Sequence, residues 1–483
     1  MINTAAASGS GQWNQDLVSR ALTRVDGQAE TVVLCFPAPR APLELLLDRF
    51  PNEPFCLWGG PDGTGAVGIG GVHVFSANGP SRFTKLLSWC RKVSSEVLFH
   101  SLVAGPCPSP RLLGGISFAA GSCRGPAWHD FSDAYFSLPR WTYLRDADRA
   151  FLYLAARPSE VGDASQQARL VDEHVAIVSA LNGWSAGRRP TSKMAESVAE
   201  PVEQLPFARW REQVEGVRAL IRSGAVRKIV TARRADVRLS RCRRPSEVLA
   251  RMAEDKGNCT RFAIRLGRNT FLGLTPETLF RKSGGLFVTH ALAGTACQKG
   301  DGKQVAASGR DLLASCKDAL EHALVADEIR ARMKPLCATL VSDERPRLRP
   351  VRSLVHLETN FAGSLIGRTH AAELLSVLHP TPAIGGTPTD AAVEWILANE
   401  AAPRGWYTGA VGWMDLLGDG AFSVAIRCGV LSADYAHAFA GAGIVESSDP
   451  EAEYRETAAK QEPFLWALGL RGTSNHVADL GSR

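Results

Sequence analysis

The stretch Ala440-Gly441-Ala442-Gly443-Ile444-Val445, followed by Glu453-Tyr454-Arg455-Glu456-Thr457 and then Lys460, is the most informative part of this chain. It predicts a glycine-rich turn that leads directly into a helix. Residues three and four apart share one helix face, so Glu453, Glu456 and Lys460 come together beside the backbone N–H groups of the turn. Such a cluster suits a metal-bound anion.

A second pair of carboxylates, Asp318 and Glu321, lies one turn apart on a predicted helix over residues 311–336. Two carboxylate-bearing helices can share one hard cation such as Mg²⁺, which prefers oxygen ligands. The alternative is two solvated helix faces with exposed i,i+3 and i,i+4 charge pairs. The pattern assigns this helix an apolar stripe consisting of Leu313, Leu320, Leu324 and Ile329.

Composition places the chain among ordinary globular proteins. With 483 residues, of which 45% are hydrophobic, it is long enough to bury a large core. We find neither a membrane-spanning apolar window nor a secretory signal, and we expect a cytoplasmic protein without membrane partners. The 11 cysteines show no C-x-x-C spacing and are read as free thiols.

The net charge of +6 favours a small anionic substrate over a nucleic acid. The densest basic run, residues 238–244, is short and has no interleaved aromatic residues, whereas a nucleic-acid surface needs a broad basic stripe with stacking side chains. We therefore expect no nucleic-acid partner.

The chain alternates strand and helix patterns on both sides of a polar, Gly-containing break between Asn182 and Pro206. Before the break, short apolar runs separated by Gly/Pro turns predict antiparallel strands. After it, a helix over 206–223 precedes a strand over 227–233, several meandering strands, and a last group of strands over 409–413, 421–430 and 435–445. The pattern predicts an α+β fold with mostly antiparallel sheets.

Eight motifs follow one another in the chain: KIVTAR (228–233), TPETLF (275–280), ALAGT (291–295), Glu321-His322, HPTPAIGG (379–386), RGWY (404–407), AIR (425–427) and the 441–460 region. They occur in the order seen in chorismate-utilising enzymes, and the chain resembles the isochorismate synthases among them. The resemblance is dense over residues 204–468 and weaker in the N-terminal part, where residues 112–118 carry it.

The resemblance implies two stacked antiparallel sheets with helices on the outside and the active site in the cleft between the sheets. Residues 1–200 are then an N-terminal variable part of the same unit, 201–472 the chorismate-binding catalytic region, and 473–483 a tail. We expect a monomer.

The implied reaction moves a hydroxyl group from ring carbon 4 of chorismate to ring carbon 2. It needs a base that activates water and an acid that protonates the departing hydroxyl. By resemblance, Lys228 is the base and Glu277 the acid. Without that context, Lys228 reads as a solvated strand lysine and Glu277 as a surface turn carboxylate.

The resemblance also assigns the binding groups. Glu321 and Glu456 resemble the ligands of a Mg²⁺ ion that holds the ring carboxylate of the substrate, with Glu453 and Asp318 nearby through water. Tyr407 and Arg427 resemble the pair that grips the enolpyruvyl carboxylate. The remaining predicted contacts are backbone donors at Gly294, Thr295, Gly441 and Gly443, a balancing charge at Lys460, and side chains at His356 and Ala383.

Other members of the family are disfavoured by single residues. Aminodeoxychorismate synthases carry a lysine where this chain has Ala293, and anthranilate synthases carry a glutamine where it has Lys228. We therefore expect no glutaminase subunit. A bifunctional salicylate synthase remains the alternative, although such enzymes tend to have a threonine near Ala383. A non-catalytic homologue would lack Lys228, Glu277, Glu321 or Glu456, and all four are present.

The chain departs from the family pattern at His290, where a glutamate is common, and at Gln298-Lys299, where an arginine usually precedes the glycine.

Overall fold

The computed structural model describes residues 29–186, 199–254, 258–297, 309–351 and 354–470. Their strands form two sheets. The strands are β1 (Thr31–Pro37), β2 (Phe55–Gly59), β3 (Gly65–Ile69), β4 (His73–Ala77), β5 (Val97–Ser101), β6 (Arg111–Ile116), β7 (Ala134–Leu138), β8 (Trp141–Asp146), β9 (Arg149–Ala156), β10 (Ala199–Gln204), β11 (Lys228–Leu239), β12 (Thr260–Leu266), β13 (Asn269–Thr275), β14 (Thr278–Ser283), β15 (Leu286–Cys297), β16 (Cys337–Ser342), β17 (Arg347–Val351), β18 (Leu354–Leu365), β19 (Gly386–Thr387), β20 (Ala410–Asp415), β21 (Gly420–Val424), β22 (Cys428–Leu431) and β23 (Tyr435–Ile444).

Each sheet combines strands from both halves of the chain. The first sheet runs in the order β10-β11-β23-β22-β13-β12-β2-β3-β8-β9-β1-β5, with β19 on β11. The second runs β16-β18-β15-β14-β21-β20-β6-β7-β4, with β17 on β18. Strand β1 pairs with β5 in parallel, and the other described pairs are antiparallel. Because β2 pairs with β12 and β6 with β20, the strands before and after the break at 182–206 belong to one folded unit.

The helices cover the outside of the sheets. They are α1 (Arg82–Glu96), α2 (Pro158–Gly162), α3 (Ala164–Ser185), α4 (Phe207–Arg222), α5 (Pro245–Met252), α6 (Cys316–Met333), α7 (Ala371–Leu378), α8 (Thr389–Asn399) and α9 (Pro450–Ala467). Residues 309–314, just before α6, are also helical. One apolar cluster joins the facing sides of the two sheets, and a second fills the space between the first sheet and helices α3 and α5. Most strands are thus buried on both faces, which explains their continuous apolar runs. The predicted α+β fold with two stacked antiparallel sheets is confirmed.

Two predicted elements differ from the observed ones. Helix α6 begins after the Ser315 cap and ends at Met333, and Leu313 and Leu320 of its predicted stripe are 49% and 56% exposed. The helix packs through Leu324, Ile329 and neighbouring apolar residues. It is therefore rotated relative to the predicted orientation, and its carboxylates face the sheets.

The predicted strand over 421–430 is two strands, because residues 425–427 turn away between β21 and β22. At the break between the halves, Asn182 to Ser185 prolong α3. Farther along the same connection, Ala199–Gln204 form β10, which pairs with β11. Residues 187–198, the Gln298-Lys299 departure and the 473–483 tail lie outside the described residues. In the part of the chain that the structure describes, no helix is long and apolar enough to cross a membrane.

Candidate active site

A pocket of about 710 Å³, partly open to solvent, lies where β11 and β23 of the first sheet face β14 and β15 of the second. Twelve of the fifteen predicted site residues line it. They are Glu277, Gly294, Thr295, Glu321, His356, Ala383, Tyr407, Arg427, Gly441, Gly443, Glu456 and Lys460. The other three are outside the lining: Lys228 contacts Glu321, Asp318 contacts the backbone of Thr295, and Glu453 contacts Lys317.

Glu277 immediately precedes β14 and is a buried residue of the pocket wall. Burial raises the pKa of its carboxyl group to about 7, against the opposing effect of four cations, of which Lys228 is the strongest. A substantial fraction of this carboxyl group is therefore protonated at neutral pH, as a general acid requires.

The backbone around Glu277 is held from both sides. Arg349 donates from Nη2 to the carbonyl oxygen of Pro276 at 3.0 Å, and the N–H of Thr278 donates to Nε2 of His290 at 3.1 Å. Nε2 accepts in this contact, and burial lowers the pKa of His290 to about 3, so the imidazole is neutral. The histidine that replaces the family's common glutamate thus supports the backbone beside Glu277.

Lys228 begins β11, and its side chain is fully buried. Its Nζ lies 2.9 Å from Oε1 of Glu321, so the two side chains form an ion pair. Burial alone would raise the pKa of Glu321. The positive charges of Lys228, Lys317 and Lys460 outweigh the effect of burial, so the pKa of Glu321 lies below its ordinary value. Glu321 is therefore an ionised carboxylate.

Gly443 makes room for this pair. A Cβ atom at position 443 would lie 2.3 Å from Oε1 of Glu321 and 2.9 Å from Cε of Lys228. The contact between Glu321 and Lys228 therefore depends on the absence of a side chain at position 443.

Four carboxylates from α6 and α9 gather at one side of the pocket, each with a partner. Glu453 contacts Lys317 at 2.6 Å, Glu456 contacts Lys460 at 2.5 Å, and Asp318 accepts from the Ser315 hydroxyl at 2.5 Å. Burial raises the pKa of Glu453, and the nearby charge of Glu456 raises it further. Burial also raises that of Asp318, with a smaller contribution from Glu321.

Carboxylate oxygens are the donors that a hard divalent cation prefers. Among the residues that the structure describes, no three acidic, histidine or cysteine side chains converge tightly enough to ligate one ion. Each of these carboxylates instead has a lysine or a hydroxyl group as its partner.

Tyr407, which precedes β20, and Arg427, in the turn between β21 and β22, both line the pocket. Arg427 has φ of +52° and Thr408, beside Tyr407, has φ of +59°, left-handed conformations that are unusual for residues with a Cβ. Such strain is typical of functional sites. The Tyr407 ring stacks on Phe439, with centroids 5.3 Å apart, and burial raises the pKa of its phenol, which remains a neutral donor.

The remaining predicted contacts show several roles. The N–H of Thr295 donates to Asp318, and the Thr295 hydroxyl lies 3.0 Å from Nδ1 of His356. Burial keeps the pKa of His356 well below its usual value, and its Nε2 has no hydrogen-bond partner among the described residues. Gly441 accepts: its carbonyl oxygen takes a hydrogen bond from Lys460 at 3.0 Å.

The sequence analysis missed a buried ion pair behind the pocket. Arg404 and Glu400 have side chains 2% and 3% exposed and contact each other at 2.5 Å. Arg404 also donates to the carbonyl oxygens of Val230 at 2.6 Å and Ile384 at 2.7 Å, two residues of the pocket lining. The available sequence signal was an acidic residue and an arginine four positions apart, Glu400 and Arg404, shortly before the predicted Tyr407. Lys317, the partner of Glu453, was also missed, because an exposed-looking helix lysine carries no signal of its own.

The chain matches the family model described as chorismate binding enzyme over residues 20–469. It is 35% identical to the salicylate biosynthesis isochorismate synthase of Pseudomonas aeruginosa over 379 residues, which cover 78% of each protein. It is 31% identical to isochorismate synthase MenF of Bacillus subtilis over 410 residues, covering 83% of this chain and 85% of the relative.

Among solved structures, the fold is similar to that of MenF, the menaquinone-specific isochorismate synthase from Escherichia coli. The TM-score is 0.75 at 24% sequence identity, with 94% of this chain and 99% of that one covered. The shared fold and the extent of the sequence match lead to one conclusion: the chain belongs to the chorismate-binding enzyme family.

Proposed function

We propose that this protein is an isochorismate synthase that reversibly converts chorismate to isochorismate with the help of Mg²⁺. The observation that carries the proposal is that two buried groups come from facing sheets beside one pocket: the carboxyl group of Glu277, with a pKa near 7, and the amino group of Lys228. The pocket wall also carries two cations, Arg427 and Lys460, suited to the carboxylates of the substrate, and two further carboxylates, Glu321 and Glu456.

The two groups divide the reaction between them. Lys228, in its neutral form, removes a proton from water as the oxygen attacks ring carbon 2. Glu277 donates a proton to the hydroxyl that leaves ring carbon 4, so that one water is taken up and one is released. The Lys228 Nζ now contacts Glu321, and the step requires Glu321 to turn away from it.

The substrate carboxylates are held on opposite sides of the pocket. Arg427 and Tyr407 bind the enolpyruvyl carboxylate through a guanidinium and a neutral phenol. Glu321 and Glu456 would hold the Mg²⁺, with Asp318 and Glu453 as the nearby acidic residues. When bound, the ion supplies positive charge that attracts and orients the ring carboxylate. Lys460, fixed by Glu456 and the Gly441 carbonyl oxygen, balances the remaining charge.

The proposed reaction uses water alone, so we infer a single-chain, monomeric enzyme without a glutaminase partner. Ala293 supports this, because it lines the pocket without offering a nucleophilic side chain. The cysteines in the described part of the chain are free, which is typical of proteins in the reducing cytoplasm.

The direct test is product identification. Purified protein incubated with chorismate and Mg²⁺ should give isochorismate until the two reach equilibrium, as measured by chromatography, with no dependence on ammonium. Salicylate and pyruvate in equal amounts as main products would contradict the proposal in favour of a salicylate synthase. Unchanged chorismate would reject the activity altogether.

The metal site predicts a specific defect in Glu456→Gln. Loss of one formal charge should raise the Mg²⁺ concentration needed for half-maximal turnover by roughly 10–100-fold, because hard cations bind through charged oxygens. Metal titration of initial rates measures this. Glu451→Gln, on the same helix but outside the pocket lining, is the control. Undiminished turnover in excess EDTA would contradict a metal requirement.

Gly443→Ala should separate activity from stability. The added Cβ collides with the mobile end of Glu321, which can move, so we expect the melting temperature to change little. Displacing Glu321 also displaces Lys228, and a misplacement of about 1 Å costs on the order of 10²-fold in rate. Steady-state kinetics and thermal melting check this. A wild-type rate in the folded variant would show that the Glu321 position is unimportant.

A further inference from the structure

The backbone that carries Glu277 lies where two strands of the second sheet separate. The described backbone pairing of β14 with β15 ends at Arg281, which lies opposite Val288. Nearer to Glu277, side chains of β15 contact the β14 backbone instead, and the Thr289 hydroxyl donates to the carbonyl oxygen of Leu279 at 2.5 Å. On this side of β14, the position of Glu277 is therefore set by side chains.

Two more side chains hold the peptide groups on either side of Glu277. Arg349 donates to the carbonyl oxygen of Pro276 at 3.0 Å, and Nε2 of His290 accepts from the N–H of Thr278 at 3.1 Å. Because Nε2 accepts, the neutral imidazole carries its proton on Nδ1. Movement of either side chain would move the peptide group that it holds, and Glu277 with it.

A single carboxylate, Glu358, links these two side chains. It forms an ion pair with Nη1 of Arg349, and its Oε1 lies 3.7 Å from the protonated Nδ1 of His290. Strand β18, which carries Glu358, pairs with β15 on one side and with β17 on the other, so Glu358 lies between the strands of its two partners. We call Glu358, Arg349 and His290 the support triad.

The support triad borders a different cavity from the proposed substrate. Pro276 and Glu277 line the active-site pocket, whereas the three residues of the triad line a cavity of about 1620 Å³ that is partly open to solvent. The triad therefore acts on the reaction through Glu277 and its backbone.

Arg349 also acts on Glu277 through its charge. Burial raises the pKa of Glu277, and four cations oppose this effect. In decreasing order they are Lys228 of β11, Arg349 of β17, Arg427 of the turn between β21 and β22, and Lys460 of α9. Arg349 thus affects both the position and the acidity of this carboxyl group.

We propose that the support triad positions the general acid: Glu358 fixes Arg349 and His290, and these fix the peptide groups on both sides of Glu277. The inference rests on the proposed function, since it takes Glu277 as the proton donor. A general acid must lie within hydrogen-bond distance of the group that it protonates. A displacement of about 1 Å costs on the order of 10²-fold in rate. The triad therefore contributes to kcat without touching the substrate.

Two substitutions of Arg349 separate position from charge. Arg349→Met should lower kcat by on the order of 10²-fold, with KM close to the wild-type value. Losing this cation raises the pKa of Glu277, so the acid keeps its proton longer and the alkaline decline of kcat should move above pH 7. Arg349→Lys keeps the charge but lacks the planar fork that reaches Glu358 and Pro276 together. It should therefore have a low kcat and a decline near pH 7.

The other two residues are tested by the groups that they supply. His290→Gln retains an acceptor for the Thr278 N–H and should keep most of the wild-type kcat, whereas His290→Leu should not. Residues that act as a unit give non-additive effects. Adding Glu358→Gln to Arg349→Met should therefore lower kcat little further, although Glu358→Gln alone is damaging. Full additivity of the two losses would show that the residues do not form a unit.

Arg347→Met is the matched control. Arg347 also lies on β17 and pairs with a carboxylate, Asp343 at 2.9 Å, but its side chain is 71% exposed. Its kcat and pH profile should equal those of the wild type. An equal loss in this control would overturn the proposal, and so would an unchanged kcat and pH profile in folded Arg349→Met. If Arg349→Met does not fold, as judged by circular dichroism, Arg349→Gln replaces it.

Infrared difference spectroscopy makes the test independent of turnover. The protonated carboxyl band that Glu277→Gln removes reports the titration of Glu277, with a midpoint near 7 in the wild type and a higher one in Arg349→Met. If the wild type forms no isochorismate, the proposed function fails. An unchanged infrared midpoint in Arg349→Met would by itself overturn the action of the triad on Glu277.

Discussion

Replacing Glu277 by glutamine should lower kcat by roughly 10²–10⁴-fold, the usual contribution of a positioned acid. KM should change far less, because the proposed binding groups are Arg427, Tyr407 and the metal site. In the wild type, kcat for isochorismate formation should fall as pH rises through about 7, where the buried acid loses its proton. Steady-state kinetics from pH 5 to pH 9 measure both effects, and the variant should lack that decline.

The same substitution should stabilise the protein at high pH. A pKa raised from 4.5 to about 7 means that the folded state binds the proton more tightly. The resulting contribution to the free energy of unfolding is complete below pH 4.5. It is lost as the pH rises through 7, and the loss is on the order of 3 kcal/mol. Glu277→Gln, which cannot ionise, should therefore be more resistant to urea than the wild type at pH 8 and not at pH 4.5. A variant that is less stable at both pH values would contradict the assigned ionisation.

Replacing Lys228 by methionine should lower kcat by a similar factor of roughly 10²–10⁴-fold, since the water then lacks its base. The reaction is reversible, so Lys228 protonates the departing hydroxyl when isochorismate is the substrate. The variant must therefore lose the same factor in kcat/KM in both directions, because an enzyme cannot change the equilibrium constant. Initial rates from chorismate and from isochorismate test this.

Lys282→Met is the matched control for this prediction. Lys282 is also a buried strand lysine with a carboxylate partner, Asp419 at 2.7 Å, but it lies at the other end of the sheets. Both variants leave a carboxylate without its cation and should lose comparable stability. Near-wild-type turnover of folded Lys228→Met, or an equal loss of turnover in Lys282→Met, would eliminate the proposed base.

The sequence predicted the residues of the site better than their partners. Twelve predicted residues line one pocket. They could be predicted because each belongs to a short motif whose residues are neighbours in the sequence. The contacts of Arg404 with Val230 and Ile384 join segments distant in the chain, and no periodicity reports them. The same holds for Arg349 and His290, which meet the backbone beside Glu277 through the pairing of β15 and β17 with β18.

The largest structural difference concerned residues 425–427. The alternation of apolar residues over 421–430 predicts a strand, and it is correct on both sides of the turn. At the centre, Arg427 adopts a left-handed conformation that a non-glycine residue seldom takes. Tertiary contacts, including the N–H of Thr408 donating to the Ala425 carbonyl oxygen at 2.8 Å, override the local preference. This override gives Arg427 its place in the pocket.

The pairing of β2 with β12 and of β6 with β20 also governs how the chain folds as it is made. Leu57 pairs with Ala263, which lies roughly 200 residues later in the chain, and Gly114 pairs with Gly412. Contacts of very long sequence separation must therefore form before either sheet is complete. Until then the strands of the N-terminal part expose unpaired edges, which are prone to associate with other chains. Strand β23, which carries Gly441 and Gly443, is among the last to emerge from the ribosome. A ribosome-bound chain that stops before it should therefore be an aggregation-prone folding intermediate in need of chaperone protection.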